Sequence, residues 1–307
     1  MYSSLSFDHQ KILVTGASGF IGHHLCQRLL RSRADVYGVS RLQRSSNDSS
    51  IQWLQGDVRN LKEMRQVMVS IKPDVIFHLA GYVSGSRSLD TIQATLENIL
   101  VSTVNLLTLM AELGGRRIIL AGSLEEPDAG DVPSSPYAAA KGASSAYAQM
   151  FHQLYQVPIV TARLFLVYGS AQKDVKKLIP HVTLSLLNRE APKLSSGQRQ
   201  IDWIYIDDVV DGLIAAAQAP NVEGCTFELG SGTLTPISSI VQQLTQLIDP
   251  SIQPLFGALP ERSMEQVRAA NIADSISKLG WKPKTTLQQG LLQTVKWYSA
   301  HRDLYLP

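Results

Sequence analysis

Tyr137 and Lys141 stand four residues apart in the segment SPYAAAKGASSAY. On a helix, positions i and i+4 share a face, so the ammonium would lie against the phenol. A cation in that place lowers a phenol pKa from its usual value of about 10. A tyrosine so tuned can give a proton to a carbonyl oxygen or take one from an alcohol. Tyr and Lys meet at this spacing by chance, so the pair needs supporting features. It follows a Ser-Pro turn, and it lies 14 positions after Ser123, which ends the apolar run RRIILAGS. Tyr147 has no lysine four residues on and reads as a packing residue.

A second set of residues suits phosphate binding. The segment VTGASGFIG places glycines at 16, 19 and 22, between an apolar run and a helical one. Gly16 permits a tight turn, Gly19 lets the backbone approach a pyrophosphate, and Gly22 lets the helix pack on the sheet. The helix N-terminus then offers unpaired amides to the phosphates. Ser18, Phe20 and Ile21 fall among these glycines and are expected to line the same dinucleotide. A glycine-rich loop with no ligand is the bland alternative.

The next apolar run ends in Ser40-Arg41, with Arg44 close behind. Sites that prefer NAD usually carry an acidic residue here, holding both ribose hydroxyls. Arg41 instead offers a planar, permanently charged fork that suits a 2′-phosphate. NADP(H) is therefore the expected cofactor, with NAD the alternative. A solvated basic loop would account for the same residues without any ligand.

Placing these groups together requires alternating strands and helices, and the chain supplies them. Lys11–Thr15, Val36–Ser40, Ile51–Leu54, Val75–Leu79, Ile118–Ala121 and Ile159–Leu164 read as strands, with a helix from about Phe20 to Arg31. Strands separated by helices pair in parallel through right-handed crossovers. The expected fold is α/β, a doubly wound parallel Rossmann sheet with ligands at the carboxyl ends of its strands. Ile204–Ile206 and Thr226–Leu229 read as late strands of the same sheet. Residues 1–168 plus 201–232 would form the dinucleotide-binding domain. Residues 169–200 plus 233–307 would form a smaller, sequence-discontinuous substrate-binding lobe, with the substrate in the cleft between them.

Bulk properties narrow the function. A chain of 307 residues, 44% hydrophobic and 18% charged, can bury a sizeable core. The net charge of +2 gives no footprint for nucleic acid or an anionic membrane. No stretch approaches the ~20 apolar residues of a membrane span, and the first residues lack a signal-peptide pattern. Two cysteines, Cys26 and Cys225, cannot make a disulfide framework. The seven histidines show no metal spacing with Cys or carboxylates. A cytoplasmic enzyme with a small-molecule substrate and no metal is expected.

The glycine spacing is G-x-x-G-x-x-G, and here the chain resembles the extended short-chain dehydrogenase/reductase family, which includes nucleotide-sugar epimerases, dehydratases and ketoreductases. The resemblance covers almost the whole chain. It implies that Asp57, in Gly56-Asp57-Val58, meets the adenine amine with Val58 beside it. It implies that His78-Leu79-Ala80-Gly81 lines the cofactor, and that Asn98 belongs to the family's N-x-x-G-T-x-N-L-L helix, with Ser102 where that pattern has Gly. Ser123 matches the family's catalytic Ser or Thr, which aligns the reacting oxygen with the tyrosine, here Tyr137. Lys141 would hold the cofactor ribose. In Gly122-Ser123-Leu124-Glu125-Glu126, Leu124 stands where the dTDP-glucose dehydratases carry their acid. Glu125 survives as a dehydratase base. The stretch looks most like the G-S-S-E-E of GDP-4-keto-6-deoxymannose reductases. A solvated acidic loop explains Glu125 and Glu126 equally well.

At the substrate end the match departs. RLFLVYG resembles R-[YF]-F-N-V-Y-G, but Leu166 replaces the Asn that contacts a diphosphate. Ile201 stands where an Arg is expected before Asp202, with Arg199 two residues earlier. Arg262 and Glu265 keep the family's R-x-x-[DE] spacing, which makes Arg262 a diphosphate candidate. Tyr82, Ser84 and Arg87 occupy a loop that touches substrate in the family. The leading expectation is an NADP(H)-dependent reductase of a keto group on a nucleotide-activated sugar. The alternatives are an NAD-dependent epimerase or 4,6-dehydratase, a natural-product ketoreductase with an apolar substrate, and a non-catalytic dinucleotide sensor. Relatives dimerise through two helices, which here would be about 91–112 and 137–155.

Overall fold

The computed structural model describes residues 7–44, 50–261 and 264–305. It divides into two compact units. The first comprises Met1–Leu164, Val210–Glu228 and Asp274–Trp281. Its strands β1 (Lys11–Thr15), β2 (Asp35–Ser40), β3 (Gln52–Gln55), β4 (Val75–His78), β5 (Arg117–Ser123) and β6 (Ile159–Leu164) pair in parallel. Helices α1 (Phe20–Arg31) and α2 (Leu61–Ile71) intervene. A short α3 (Ile92–Thr95) runs through a π-helical turn (Leu96–Val101) into α4 (Ser102–Leu113), and α5 (Pro136–Tyr155) follows β5.

The strands match the sequence expectation to within a residue or two, because β-branched runs bounded by turns mark them clearly. Leu13, Ile76 and Ile118 of the sheet are buried against Met64, Leu106 and Phe151 of the helices. Local signals explain the helix ends. Asn60 caps α2 by accepting from Lys62 N and Glu63 N. Ser135 caps α5, with Pro136 pre-set at its first position. The run Leu89–Leu113 is long and apolar enough to cross a membrane by length and composition, which the sequence reading did not find. Leu106, Leu107, Leu109 and Met110 of this run sit in the sheet's core cluster. That is the place of a core helix.

The second unit comprises Phe165–Val209, Leu229–Ala273 and Lys282–Pro307. It holds β7 (Leu166–Tyr168), α6 (Leu178–Leu187), β8 (Gln200–Tyr205), the start of α7 (Ile206–Gln218), β10 (Leu234–Pro236), α8 (Ile237–Ile248) and α10 (Leu287–Ala300). The remaining strand, β9 (Thr226–Leu229), gives the large sheet its order β3-β2-β1-β4-β5-β6-β9. A last short helix, α9 (Ala273–Leu279), lies almost wholly in the first unit.

Two expectations need correction here. Thr226–Leu229 joins the large sheet as expected, but the strand containing Ile204 does not. β8 is the centre of a separate three-stranded sheet, antiparallel to β10 and parallel to β7. Propensity marks a strand without naming its partner. The unit boundaries move with it: residues 165–168, 201–209 and 229–232 belong to the second unit and Asp274–Trp281 to the first.

Buried carboxylates organise the second unit. Asp202 is 1% exposed and accepts from Ser231 N and Oγ (both 2.7 Å), Gly232 N and Ala270 N (both 2.9 Å). Asp208 accepts from Lys284 N and Thr285 N, each at 3.0 Å, and so fixes the turn of the LGWKPKT segment. Asp202→Ala would leave several buried donors without their acceptor, at about 1–3 kcal/mol each. It is expected to lower the unfolding free energy by about 3 kcal/mol or more. Urea denaturation followed by tryptophan fluorescence would check this, and a loss below about 1 kcal/mol would contradict it.

Candidate active site

β5 carries Ser123 at its carboxyl end, and the first turns of α5 carry Tyr137 and Lys141. The Ser135 cap and Pro136 fix where α5 begins, and hence which face turns to the strand. The Lys141 ammonium donates to the Ala121 carbonyl of β5. The Ser123 hydroxyl hydrogen-bonds the Tyr137 phenol. The three residues named from spacing and resemblance therefore come together. Ser123 Oγ also accepts from Glu125 N at 3.2 Å. Its own hydrogen is directed at the Tyr137 oxygen, which favours the phenolate.

Burial dominates the electrostatics. It pushes the Tyr137 phenol up to about 12; the Ser123 hydrogen bond works against this, while Glu126 and Glu125 add to it. Burial pushes the Lys141 ammonium down to about 8, and Glu126 opposes that fall. Tyr137 therefore holds its proton at neutral pH, and most of Lys141 is still charged there. The arrangement is that of a proton donor, which becomes a base only when further positive charge reaches the phenol.

His78, at the end of β4, lies beneath this group. Its Nδ1 is 2.8 Å from Thr15 Oγ1 and its Nε2 is 3.3 Å from Ser102 Oγ. Ser102 donates its own hydrogen to Asn98 O at 2.8 Å, so it accepts from His78. The ring is then the Nε2–H tautomer, with Thr15 donating to Nδ1. Burial and the Lys141 charge hold His78 down at about 3. Ser102 thus has a task that the family's glycine at this position could not perform.

Glu126 is the residue that sequence reasoning missed. Its carboxylate is 2% exposed rather than part of a solvated acidic loop. It accepts from Ser123 N (2.7 Å), Ser145 Oγ (2.9 Å) and Arg163 Nη2 (3.2 Å). Glu125 is half-buried and accepts from Ser134 Oγ at 3.4 Å. The signal was Gly122: a Cβ there would lie 2.7 Å from Glu126 Oε1. Glycine at this position leaves room for the acid.

The dinucleotide residues sit where the turn predicts. Gly16 has a φ of +72°, and a Cβ there would meet Ala80 N at 2.8 Å. A Cβ on Gly22 would meet Gly16 O at 2.1 Å. The α1 N-terminus carries no side-chain cap, and its first turn holds no acidic residue. These are the conditions for an anion at its amides. Ser18, Phe20 and Ile21 flank that terminus. Leu79 N and Ala80 N are held by Thr15 O and Thr15 Oγ1, with Gly81 next in the chain.

Other candidates have protein partners. The Asp57 carboxylate is gripped by the Arg59 guanidinium at 2.6–3.0 Å, which holds it below the usual carboxylate range; the charge of Arg41 adds to this. Val58 packs at the edge of the core. Asn98 lies in the π turn, and its amide donates to Ala94 O at 2.8 Å. Ser40 Oγ accepts from Leu42 N and Arg44 Nε, and the Arg44 guanidinium lies 4.8 Å over the Trp53 ring. Arg41 is exposed. In the loop after β4, Tyr82 is exposed, Ser84 Oγ accepts from Ser86 N, and Arg87 Nε donates to Ser134 O. In the second unit Leu166 pairs with Trp203, and Arg199 forms a 2.9 Å ion pair with Glu265. Arg262 lies outside the described residues. Among those residues no group of three or more His, Cys, Asp or Glu could hold a metal.

Residues 12–230 match the family described as "NAD dependent epimerase/dehydratase family". The chain belongs to that family. It is 26% identical over 317 residues to the UDP-glucuronate 4-epimerase of Thermodesulfobacterium geofontis, covering 95% of this chain and 97% of that protein. It is 26% identical over 330 residues to the dTDP-glucose 4,6-dehydratase of Haemophilus influenzae, covering 94% and 97%. The crystal structure of UDP-glucuronic acid 4-epimerase from Bacillus cereus, in complex with UDP-glucuronic acid and NAD, superposes with a TM-score of 0.84 at 25% identity, covering 95% of this chain and 100% of that one. The Rossmann fold and the enzyme class expected from sequence are those of this family.

His78 also makes a pH prediction. Its folded pKa of about 3 lies below the ordinary 6.5, so the unfolded chain binds the extra proton between those values. Its contribution to stability is complete above about pH 6.5 and declines as pH falls toward 3. His78→Asn should therefore lose less stability than the wild type between pH 7 and pH 5. Equal losses in urea melts at the two pH values would refute this.

Proposed function

We propose that this enzyme oxidises and then re-reduces a carbinol carbon on the sugar of a nucleotide sugar, the chemistry of an epimerase. The supporting observation is the convergence of Ser123 and Tyr137, close enough for the hydroxyl to lower the phenol pKa, with Lys141 held to the strand of Ser123. Eliminating water would call for a further acid, and the residue after Ser123 is the buried Leu124. Glu125 alone remains for that chemistry, which makes a dehydratase the weaker reading.

A bound nicotinamide dinucleotide would take up the hydride in the oxidation and return it in the reduction. The cradle fits it: no Cβ can be added at Gly16 or Gly22, and the α1 terminus is uncapped. Gly16, Gly19 and Gly22 would hold the pyrophosphate, and Lys141 the nicotinamide ribose. Ser123 orients the sugar oxygen by donating to it. Tyr137 takes the proton from the alcohol and returns it to the ketone. Lys141 favours the phenolate during the first half of that cycle. Tyr137→Phe removes the group that moves the proton and should lower kcat by about 10²–10⁴-fold. Near-normal turnover of UDP-glucuronate or UDP-glucose by that variant would end the assignment.

One observation favours a second reading, an NADP(H)-dependent ketoreductase. The residues directly after β2, 41–44, carry no carboxylate, and Arg41 and Arg44 stand there. Denaturing the purified protein and weighing any released dinucleotide separates the two. Stoichiometric NAD would support a cofactor recycled within one turnover. An empty site that prefers NADPH over NADH, with the preference reduced in Arg41→Ala, would support the reductase.

A further inference from the structure

Ser123 and Tyr137 come from different elements, a strand end and a helix. Something has to fix their separation. Three contacts of one carboxylate do so. Oε1 of Glu126 accepts from the Ser123 amide, while Oε2 accepts from Ser145 Oγ on α5 and from Arg163 Nη2 on β6. Glu126 N in turn donates to Ser123 O at 3.1 Å, which closes the turn in both directions. Ser145 lies one helical turn beyond Lys141 on the helix that carries Tyr137.

We propose that Glu126 is a positioning residue that ties the main chain of Ser123 to the helix of Tyr137 and Lys141, and that Gly122 is its required companion. The inference rests on the proposed roles of Ser123 and Tyr137. The space is specific: the Cβ missing from Gly122 would lie 2.7 Å from the Glu126 carboxylate, 3.2 Å from the Thr161 methyl and 3.3 Å from Arg163 Cα. Of these, the carboxylate at the end of a side chain yields most easily. A methyl at position 122 would therefore push the acid off the Ser123 amide and leave its charge in place.

Charge and geometry can thus be separated. Facing Tyr137 and Lys141 are Glu125 and Glu126 from the loop after β5, and His78 from β4. Arg163 faces Glu126 from β6 and is itself shared with Glu228 of β9. The Glu126 charge raises both titrating groups. Glu126→Gln keeps an acceptor for the Ser123 amide and a group for Ser145, but removes that charge. Lys141 should then titrate below its wild-type midpoint.

The test uses Gly122→Ala and Glu126→Gln in the full chain, with thermal melts to confirm folding. Two readouts need no substrate: the Tyr137 resonance in ¹³Cζ-tyrosine-labelled protein and the Lys141 resonance in ¹³Cε-lysine-labelled protein. These are assigned by Tyr137→Phe and Lys141→Met. Gly122→Ala should move the Tyr137 resonance and leave the Lys141 midpoint near the wild-type value. Glu126→Gln should lower the Lys141 midpoint. With UDP-glucuronate or UDP-glucose, Gly122→Ala should lower kcat about tenfold or more at near-constant KM, as expected for a misplaced catalytic group. Folded variants with an unmoved Tyr137 resonance and an unmoved Lys141 midpoint would overturn the proposal. So would wild-type kcat in Gly122→Ala. If the wild type turns over neither sugar, the substrate reading is at fault, and the two resonances still decide the role of Glu126.

Discussion

A methyl group at Gly22 would sit 2.1 Å from the Gly16 carbonyl oxygen, so α1 can approach β1 this closely only without a side chain there. That approach governs much of the first unit. It places the uncapped amides of α1 at the carboxyl end of β1. It also leaves Gly16 against the Leu79–Ala80 backbone, where the chain emerges from β4. Thr15 then reaches His78 and the Ala80 amide with one hydroxyl. Close backbone contact at one turn thus sets the spacing of two neighbouring strand ends, and both face the expected dinucleotide.

Around that frame His78, Ser123 and Glu126 are buried, with Tyr137 and Lys141 partly so. A buried charge persists only where partners replace water. Lys141 has a carbonyl, Glu126 has an amide, a hydroxyl and a guanidinium, and His78 avoids charge altogether. The same low polarity that makes these partners necessary drives the Tyr137 and Lys141 pKa values apart, the phenol up and the ammonium down. Their separation in water is small, but burial disfavours the anion of one and the cation of the other. Proton exchange at Tyr137 is thereby left responsive to any further positive charge that enters the site.

Much of this was legible in the sequence, and the exceptions share a cause. The α/β alternation, the glycine turn and the i,i+4 pair are local patterns, and local patterns survive into the structure. The placement of Ile204 failed because a strand's partner is a long-range fact: Leu166 and Leu234 select the small sheet, not the residues beside Ile204. Glu126 failed for the same reason. It sits in an acidic, proline-containing stretch that reads as solvated, while Ser145 and Arg163 lie far along the chain. Asp57 has a partner only two residues away, Arg59, a local pairing that the spacing could have shown. The membrane-length run was overlooked because Asp90, Gln93, Glu97, Asn98 and Asn105 interrupt its apolar residues.

The second unit shows how a changed motif is absorbed. Leu166 and Ile201 replace polar residues expected at a diphosphate, and both lie in the small sheet, where apolar side chains pack without penalty. Arg199, the nearest cation in sequence, is already paired with Glu265 and donates to Gln266 O. An anion approaching Arg199 must compete with a half-buried carboxylate for the same fork, and a guanidinium shared between two anions binds each less strongly than one reserved for a single partner. Leu166, Ile201 and the paired Arg199 thus offer little to a diphosphate, and Arg262, the remaining candidate, lies outside the described residues.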